Sequence, residues 1–135
     1  MKKTSISVLL VLLITNFCAC KKETLDERIV RECANFTRKE CPKDIDQWTQ
    51  MDSTSYTPND KTVHYFYTVK GKLDEDSIYT DELKDIFQEQ LLTNINGSIS
   101  LREYKKHDCS FHYIYISQKT GRTYVEYTFG PEEYN

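Results

Sequence analysis

The chain has 135 residues, of which 18 are lysine or arginine and 21 are aspartate or glutamate, and its net charge at pH 7 is −3. This length suits a single domain with one hydrophobic core and excludes two separate domains. The acidic balance, without a basic stretch that carries interleaved aromatic residues, excludes nucleic acid as the expected partner, and the 4 scattered glycines exclude a glycine-rich phosphate loop.

Residues 1–19 predict a signal for export. Two lysines give a short positive region, and an apolar run over residues 8–14 follows them. This run is far shorter than the roughly 20 apolar residues that a membrane-spanning helix needs, and its flanks are typical of a secretory signal peptide. We therefore expect residues 1–19 to be removed, residues 20–24 to form a tether and residues 25–135 to form one folded domain.

The cysteines at the end of this segment resemble the lipobox of bacterial lipoproteins, in which small residues precede a cysteine that is lipidated and becomes the first mature residue. Cys20 follows Cys18 and Ala19, which are both small. Cys18 follows the bulky Phe17, so the resemblance favours Cys20 over Cys18 as the lipidation site. At about 0.8 kcal/mol per buried methylene, the several acyl chains that a lipobox implies would hold the protein permanently on a membrane. An ordinary cleaved signal with an unmodified Cys20 is the alternative.

A first helix is predicted directly after the tether. Charged residues occupy one face, and apolar residues recur at helical spacing on the other, at Leu25, Ile29, Cys33 and Phe36. Pro42 limits how far this helix can extend, so we expect it to cover about residues 25–41.

Three cysteines lie in the predicted domain of a chain with an export signal, and disulfides form in exported proteins. If Cys33 and Cys41 share one helix, they lie about 12 Å apart, beyond the roughly 7 Å that a disulfide tolerates. Cys109 is then the expected partner. We prefer a bridge between Cys33 and Cys109, because Cys33 lies on the apolar stripe, and Cys41 is the alternative partner of Cys109.

The middle of the chain changes from strand-like to helical patterns. Residues 45–54 predict a first strand, and residues 61–71 predict a second strand with apolar residues on both faces. Helical spacing then predicts a second helix over about residues 79–95. The acidic run "LDED" at 73–76, which precedes this helix, reads as a solvated loop.

Three further strand-like runs follow, over residues 98–106, 109–117 and 123–130. The links between them are short, and short links favour antiparallel hairpins. The order of elements is therefore helix, two strands, helix, three strands. This order predicts an α+β fold in which an antiparallel sheet of about five strands has two helices packed on one face.

Tyrosine is concentrated in the predicted strands, at Tyr65, Tyr67, Tyr113, Tyr115, Tyr124 and Tyr127. If helices cover one face of the sheet, the alternation of strand side chains can place several of these rings together on the other face. Tyrosine suits protein binding because it offers a large area, few torsions and a polar tip. Tyrosine also favours strands for reasons of packing alone, which is the alternative interpretation.

Few residues are placed to carry chemistry. His64 and His112 lie in different predicted strands and can meet only if those strands are neighbours, and no cysteine pair has zinc-finger spacing. Neither Ser110 near His112 nor the acidic run at 73–76 has the converging partners that a nucleophile needs. We therefore expect no catalytic residue, no metal site and no cofactor.

Two short patterns, "DST" and "DSI", resemble the acceptor pattern for O-linked glycans on exported proteins of the Bacteroides group. The resemblance implies Ser53 and Ser77 as candidate acceptors. Short patterns of this kind also recur by chance.

The body of the chain is similar to a set of short exported proteins of Gram-negative bacteria without a known activity, through "CPKDIDQWTQMDS", "TVHYFYTV" and "HYIYISQKTGRTYVEYTF". This similarity supports the order of the elements and implies no mechanism. We expect a lipid-anchored, non-enzymatic protein of the cell envelope, with the outer membrane favoured, that binds another protein. It would be an accessory subunit of an envelope complex or an immunity-type inhibitor of a toxin; a small hydrolase or redox enzyme is the third alternative.

Overall fold

The computed structural model of the protein describes residues 20–135. The predicted signal peptide over residues 1–19, and with it Cys18, lies outside the described residues and stays a prediction. Residues 20–24 are exposed, and Cys20 forms no disulfide with another described cysteine. Within residues 20–135, none of the helices combines the length and the apolar character that crossing a bilayer requires.

The described part of the chain contains four α-helices and five strands. In chain order they are α1 (Leu25–Glu40), β1 (Lys43–Asp44), β2 (Thr49–Thr57), β3 (Thr62–Val69), α2 (Asp81–Gly97), α3 (Arg102–Lys106), β4 (Ser110–Ser117), β5 (Thr123–Phe129) and α4 (Pro131–Tyr134). Two short 3-10 helices, Gly71–Leu73 and Asp76–Ile78, lie between β3 and α2. The predicted α+β class is confirmed.

The five strands form one sheet in the order β1-β2-β3-β4-β5. β3 and β4 pair in parallel, whereas the other three pairs are antiparallel. The prediction of a fully antiparallel sheet is therefore wrong at this central pair. The physical reason is the long connection through α2, because a crossover of that length lets the second strand run in the same direction as the first.

The strand predicted over residues 98–106 is also wrong, since this segment contains α3. Leu101 and Tyr104 are three residues apart, and both pack against the core. Residues buried at that spacing lie on one face of a helix, whereas a strand would place them on opposite faces. The fifth strand is β1, which follows α1 closely in the chain and lies at the edge of the sheet beside β2.

α1 begins at a capping box. Thr24 Oγ1 accepts a hydrogen bond from the backbone N–H of Glu27 at 3.2 Å, and Glu27 Oε2 accepts one from the backbone N–H of Thr24 at 2.8 Å. The buried residues of this helix are Ile29 and Cys33, which belong to the predicted stripe. The helix predicted over residues 25–41 is confirmed.

Both long helices pack on one face of the sheet, which we call the covered face. α1 contacts it through Cys33, whose Sγ lies 3.8 Å from Thr54 Oγ1. α2 contacts it through Phe87, whose ring lies 4.8 Å from the ring of Tyr115. The main strand residues of the covered face are Val63, Tyr65, Tyr67, Val69, Phe111, Tyr113, Tyr115, Val125, Tyr127 and Phe129. The opposite side, the open face, carries His64, Phe66, His112, Ile114 and Glu126.

Candidate binding groove

A groove of about 460 Å³ lies on the covered face, between α2 and the segments that flank the sheet. Its floor is formed by Tyr67, Tyr113 and Tyr115. One wall is α2, and the other walls are Ile45 with Asp46, before β2, and the loop over residues 71–79, which we call the wall loop. Sites that bind ligands commonly have volumes of about 300 to 1,000 Å³ and mostly apolar linings. This groove is therefore the candidate binding site.

The floor is a row of stacked aromatic rings. The parallel register pairs Tyr65 with Tyr113 and Tyr67 with Tyr115. The ring centroids of these two pairs lie 4.9 Å and 4.6 Å apart, and the rings are nearly parallel. Phe87 of α2 meets the row edge-on at Tyr115. Stacked aromatic pairs contribute about 0.5 to 1.5 kcal/mol each beyond the area they bury, so the stacking stabilises this arrangement of the floor.

The floor also offers polar atoms. The hydroxyls of Tyr67, Tyr113 and Tyr115 make no hydrogen bond within residues 20–135. None of these hydroxyls is fully buried, because Arg28 Nε is the only fully buried side-chain nitrogen or oxygen in the same residues that lacks a hydrogen-bond partner. Burial of the rings raises the pKa of Tyr67 to about 12 and raises the pKa of Tyr113 and of Tyr115. All three hydroxyls therefore stay protonated near neutral pH and can donate hydrogen bonds to a ligand.

The sequence predicted that the tyrosine rings share the face of the sheet that the helices leave uncovered, but the structure places most of them on the covered face. Five of the six predicted rings belong to the covered face, at Tyr65, Tyr67, Tyr113, Tyr115 and Tyr127, and three of these five line the groove. Tyr124 lies in the bulge of β5, stacks on Tyr79 at 4.3 Å and donates a hydrogen bond to Asp74. These rings are packed between the sheet and the helices, and Tyr67, Tyr113 and Tyr115 line the groove.

Asp74 fixes the wall loop to the turn between β4 and β5. The residue is 2% exposed. Its Oδ1 accepts hydrogen bonds from the hydroxyls of Ser117 and Tyr124, and its Oδ2 accepts one from the backbone N–H of Lys119 at 2.9 Å. Burial opposes ionisation, but these hydrogen bonds and the charge of Lys119 outweigh it, so the pKa of Asp74 lies below its usual value. The prediction that residues 73–76 form a solvated loop is wrong for Asp74.

The wall loop begins with a close contact between Gly71 and Trp48. Gly71 has a φ of +58°, and a Cβ atom at this position would overlap the indole ring of Trp48. The backbone carbonyl of Trp48 also accepts a hydrogen bond from the N–H of Lys70 at 2.9 Å. Both a left-handed backbone and the absence of a side chain are therefore required at Gly71.

We expect Gly71→Ala to lower the free energy of unfolding by about 3 kcal/mol, because it combines backbone strain with overpacking. Gly121→Ala is the matched control: its φ is +72°, but nothing lies within 4 Å of the added Cβ. We expect the control to lose only about 1 kcal/mol. Urea unfolding followed by the fluorescence of Trp48, the single tryptophan, measures both. Equal losses would contradict a tight contact at Gly71.

The predicted disulfide between Cys33 and Cys109 is not present: both are buried free thiols, and Cys41 is a free, half-buried thiol. Each buried sulfur has its own polar neighbour. Cys33 contacts Thr54, and Cys109 Sγ lies 4.0 Å from the hydroxyl of Tyr56. Burial raises the pKa of Cys33 and of Cys109, which disfavours the reactive thiolate. The redox alternative gains no support from these thiols.

The remaining predicted residues lie away from the groove floor. Ser77 is exposed in the 3-10 helix Asp76–Ile78, and Ser53 is half-buried in β2, where it pairs with Phe66. Glycosylation of either serine stays a prediction. His64 and His112 do meet, because β3 and β4 are neighbours.

The comparisons with known proteins give a family and a fold. A family model described as a domain of unknown function (DUF8479) matches residues 24–125, from the cap of α1 into β5. No curated protein sequence matches the chain.

Three solved structures share the fold. A protein from Pseudomonas aeruginosa, described as a candidate secreted protein, has a TM-score of 0.65 and 11% identity, over 83% of this chain and 98% of that one. The type 2 secretion system pilotin EpsS from Vibrio vulnificus has a TM-score of 0.59 and 6% identity, over 82% and 91%. The type II secretion system pilotin AspS from Vibrio cholerae has a TM-score of 0.57 and 10% identity, over 80% and 90%. At these identities the likeness is one of fold alone.

Proposed function

Since the chain belongs to the DUF8479 family, whose description assigns no activity, we propose a function from the groove itself: it binds an apolar, helical segment of a partner protein. The protein would do so in the cell envelope, held to a membrane by lipid on Cys20. The observation that carries the proposal is the groove of about 460 Å³ with its floor of Tyr67, Tyr113 and Tyr115.

The position of the groove favours a helix as the occupant. The floor is the middle of the sheet, where β3 and β4 already satisfy each other's backbone groups. A partner segment lying there finds no free strand edge, so it must satisfy its own backbone hydrogen bonds, as a helix does. An amphipathic helix would place apolar residues at i, i+3 or i+4 and i+7 on the aromatic floor.

Apolar side chains at the rim support a protein partner. Leu83 on the α2 wall is 38% exposed, and Ile45, before β2, is 53% exposed. A helix in the groove would cover both and remove their apolar surface from water, which is favourable at about 25 cal/mol per Å². Asp46 and Lys84 line the groove from two different segments, so a helix with a basic and an acidic flank would bind in one orientation.

The fold supports one of the two protein-binding roles that the sequence allowed. Two of the solved structures with this fold are pilotins of type 2 secretion systems. An accessory subunit of an envelope complex therefore has a precedent in the fold, whereas an immunity-type inhibitor has none among these structures. We accordingly propose a non-enzymatic accessory subunit whose groove captures a helix of the complex it serves.

Site-specific photo-crosslinking in native cells tests this proposal. A photoreactive phenylalanine replaces Leu83, which lines the groove, or Ile86, which lies on the same helix, is 57% exposed and does not line it. We expect position 83 to crosslink to one peptide of one envelope protein about tenfold more than position 86 does. Mass spectrometry of the crosslinked peptide should show apolar residues at helical spacing.

Equal crosslinking from positions 83 and 86 would contradict a specific site in the groove. Crosslinks from position 83 to lipid alone would contradict a protein occupant. Both results are readable in the full-length chain, because neither substitution removes a buried side chain.

A further inference from the structure

The sheet has two edges, and one of them is protected. The edge strand β1 has only two residues, Lys43 and Asp44, and both are charged. Beyond β1, α1 covers the outer edge of β2: Thr37 Oγ1 accepts a hydrogen bond from the N–H of Thr54 and donates one to its carbonyl, both at 2.9 Å. Short charged strands and covering helices are the means by which natural sheets prevent pairing at an edge.

The other edge strand is β5, which lacks these means of protection. It has 7 residues, contains neither lysine nor proline, and pairs only with β4 among the described strands. The direction of its backbone groups follows from the neighbouring strand, because the N–H and C=O groups of successive strand residues point to opposite sides. The N–H of Gln118 donates to Val69 of β3, whereas the N–H of Ser117 donates to Arg122, on the side of β5. The odd-numbered residues of β4 therefore bond to β5, where their partners are Val125, Tyr127 and Phe129.

Glu126 and Thr128 lie between these partners, so their N–H and C=O groups point away from β4. Within residues 20–135 none of these four groups has a hydrogen-bond partner. The side chains of both residues are exposed on the open face. Unpaired groups on a strand edge are a template for a further strand.

We propose that the outer edge of β5 binds an extended segment of a partner protein, which adds a sixth strand to the sheet and places a lysine or arginine beside Glu126. In strand addition, backbone hydrogen bonds hold the segment and side chains select it. The four outward groups of Glu126 and Thr128 supply the hydrogen bonds. The tyrosines of the groove floor belong to β3 and β4, so this edge is a second contact surface.

Charge selects the side chain that lies beside Glu126. Glu126 Oε1 lies 2.7 Å from His112 Nε2, whereas Oε2 has no partner within residues 20–135. The side chain of Glu126 is 55% exposed. Opposite charges on paired strands are favourable and like charges are unfavourable, so a lysine or arginine suits Oε2. The neighbouring residues of the segment would point to the covered face beside Tyr127 and would be apolar.

α2 favours a single segment over a second copy of the chain. The hydroxyl of Tyr127 donates a hydrogen bond to the carbonyl of Lys84 at 2.8 Å, so α2 stands over β5. An antiparallel second copy would bring its own α2 to the same face of the joined sheet, next to the first. It would also bring together two chains that each carry a net charge of −3. A segment without a helix meets neither obstacle.

Hydrogen exchange, measured by nuclear magnetic resonance on the full-length chain in detergent, tests the site. The probe is the capped peptide VTVKVTV, which has lysine between two threonines on one face and valines on the other. In the chain alone, the amides of Glu126 and Thr128 should exchange at least about tenfold faster than those of Val125 and Tyr127. The peptide should slow exchange at Glu126 and Thr128 at least about tenfold and leave Val125 and Tyr127 unchanged.

A second peptide, VTVEVTV, tests the selection by charge. It should bind about fivefold more weakly than VTVKVTV, because its glutamate lies beside Glu126. Glu126→Gln keeps the backbone groups and removes the charge, so it should bind both peptides alike. Equal binding of the two peptides to the unchanged chain would contradict selection by Glu126.

Thr128→Pro tests the backbone contribution. Proline is tolerated at a strand edge where the N–H faces solvent, so the circular dichroism should not change, whereas VTVKVTV should bind at least about tenfold more weakly. Thr128→Val is the matched control, since it keeps the N–H and should bind the peptide as the unchanged chain does. If the proline variant does not fold, the exchange rates and Glu126→Gln still decide.

Three results would overturn the proposal. Slow exchange of Glu126 and Thr128 in the dilute chain alone would show that the chain itself covers this edge. Unchanged exchange with millimolar VTVKVTV would show that the edge accepts no strand. Protection that rises with the concentration of the chain alone, together with a dimer in sedimentation, would assign the edge to a second copy. Crosslinking from position 83 reports on the groove, so none of these results bears on the proposed function.

Discussion

Tyr113→Ser is expected to lower the free energy of unfolding by about 3 to 5 kcal/mol, the cost of removing a large buried aromatic ring. Tyr113 is 8% exposed. Its ring stacks on Tyr65 at 4.9 Å and on Tyr67 at 6.5 Å, and it meets Phe129 edge-on at 6.1 Å. The substitution therefore removes the centre of the aromatic row and leaves a cavity between the sheet and α2.

Urea unfolding followed by circular dichroism measures this effect. Tyr113→Phe is the matched control: it keeps the ring and removes a hydroxyl that makes no hydrogen bond within residues 20–135, so its stability should change by less than about 1 kcal/mol. An unchanged unfolding curve for Tyr113→Ser would instead support the interpretation from sequence, in which the tyrosine rings lie together on the face of the sheet that the helices do not cover.

Asp74→Ala is expected to have the second largest effect, because it leaves buried donors without an acceptor. The hydroxyl of Ser117, which is 2% exposed, and the backbone N–H of Lys119 both lose their partner. The wall loop then loses its attachment to the β4–β5 turn. We therefore expect both a lower unfolding midpoint in urea and weaker crosslinking from position 83.

Glu75→Ala is the control for Asp74→Ala. Glu75 is the next residue, and its carboxylate forms an exposed ion pair with the ammonium of Lys119. Exposed ion pairs contribute only about 0 to 1 kcal/mol, so the control should change little. If both variants unfold at the same urea concentration, the buried hydrogen bonds of Asp74 do not hold the wall loop.

The contribution of Asp74 should also depend on pH. Its pKa is lower in the folded protein than in the unfolded chain, so the unfolded chain binds the proton more readily. The stability that the carboxylate contributes is then complete above its ordinary pKa of about 3.9 and is lost as the pH falls through the lower, folded value. The gap between the unchanged chain and Asp74→Ala should accordingly narrow on acidification below about pH 4.

The sequence predicts the elements better than their arrangement. The two long helices follow from spacing and capping residues, which act within a few positions along the chain. The parallel pairing of β3 with β4 does not follow, because short links after α2 suggested only hairpins. The segment over residues 98–106 was misinterpreted because Leu101 and Tyr104 bury a helical face in a run with strand-like composition.

The candidate site was predicted only in part. Strand alternation shows which tyrosines share a face, but it does not show whether helices cover that face. Tyr67, Tyr113 and Tyr115 were therefore identified as binding residues on a surface where they do not lie. No pattern in the sequence indicated that Asp74 is buried and hydrogen-bonded, since its partners lie more than 40 positions further along the chain.

The parallel pairing of β3 with β4 also sets the order in which the molecule can fold. Each paired residue of β4 lies 48 positions after its partner in β3. β2 and β3 can form a hairpin early. Pairing β3 with β4 closes a much longer loop, which is slow, and the pairing becomes favourable only when the whole of β4 is present. Until then a growing chain exposes the apolar side of β3, and a fragment that stops before β4 has no partner for it.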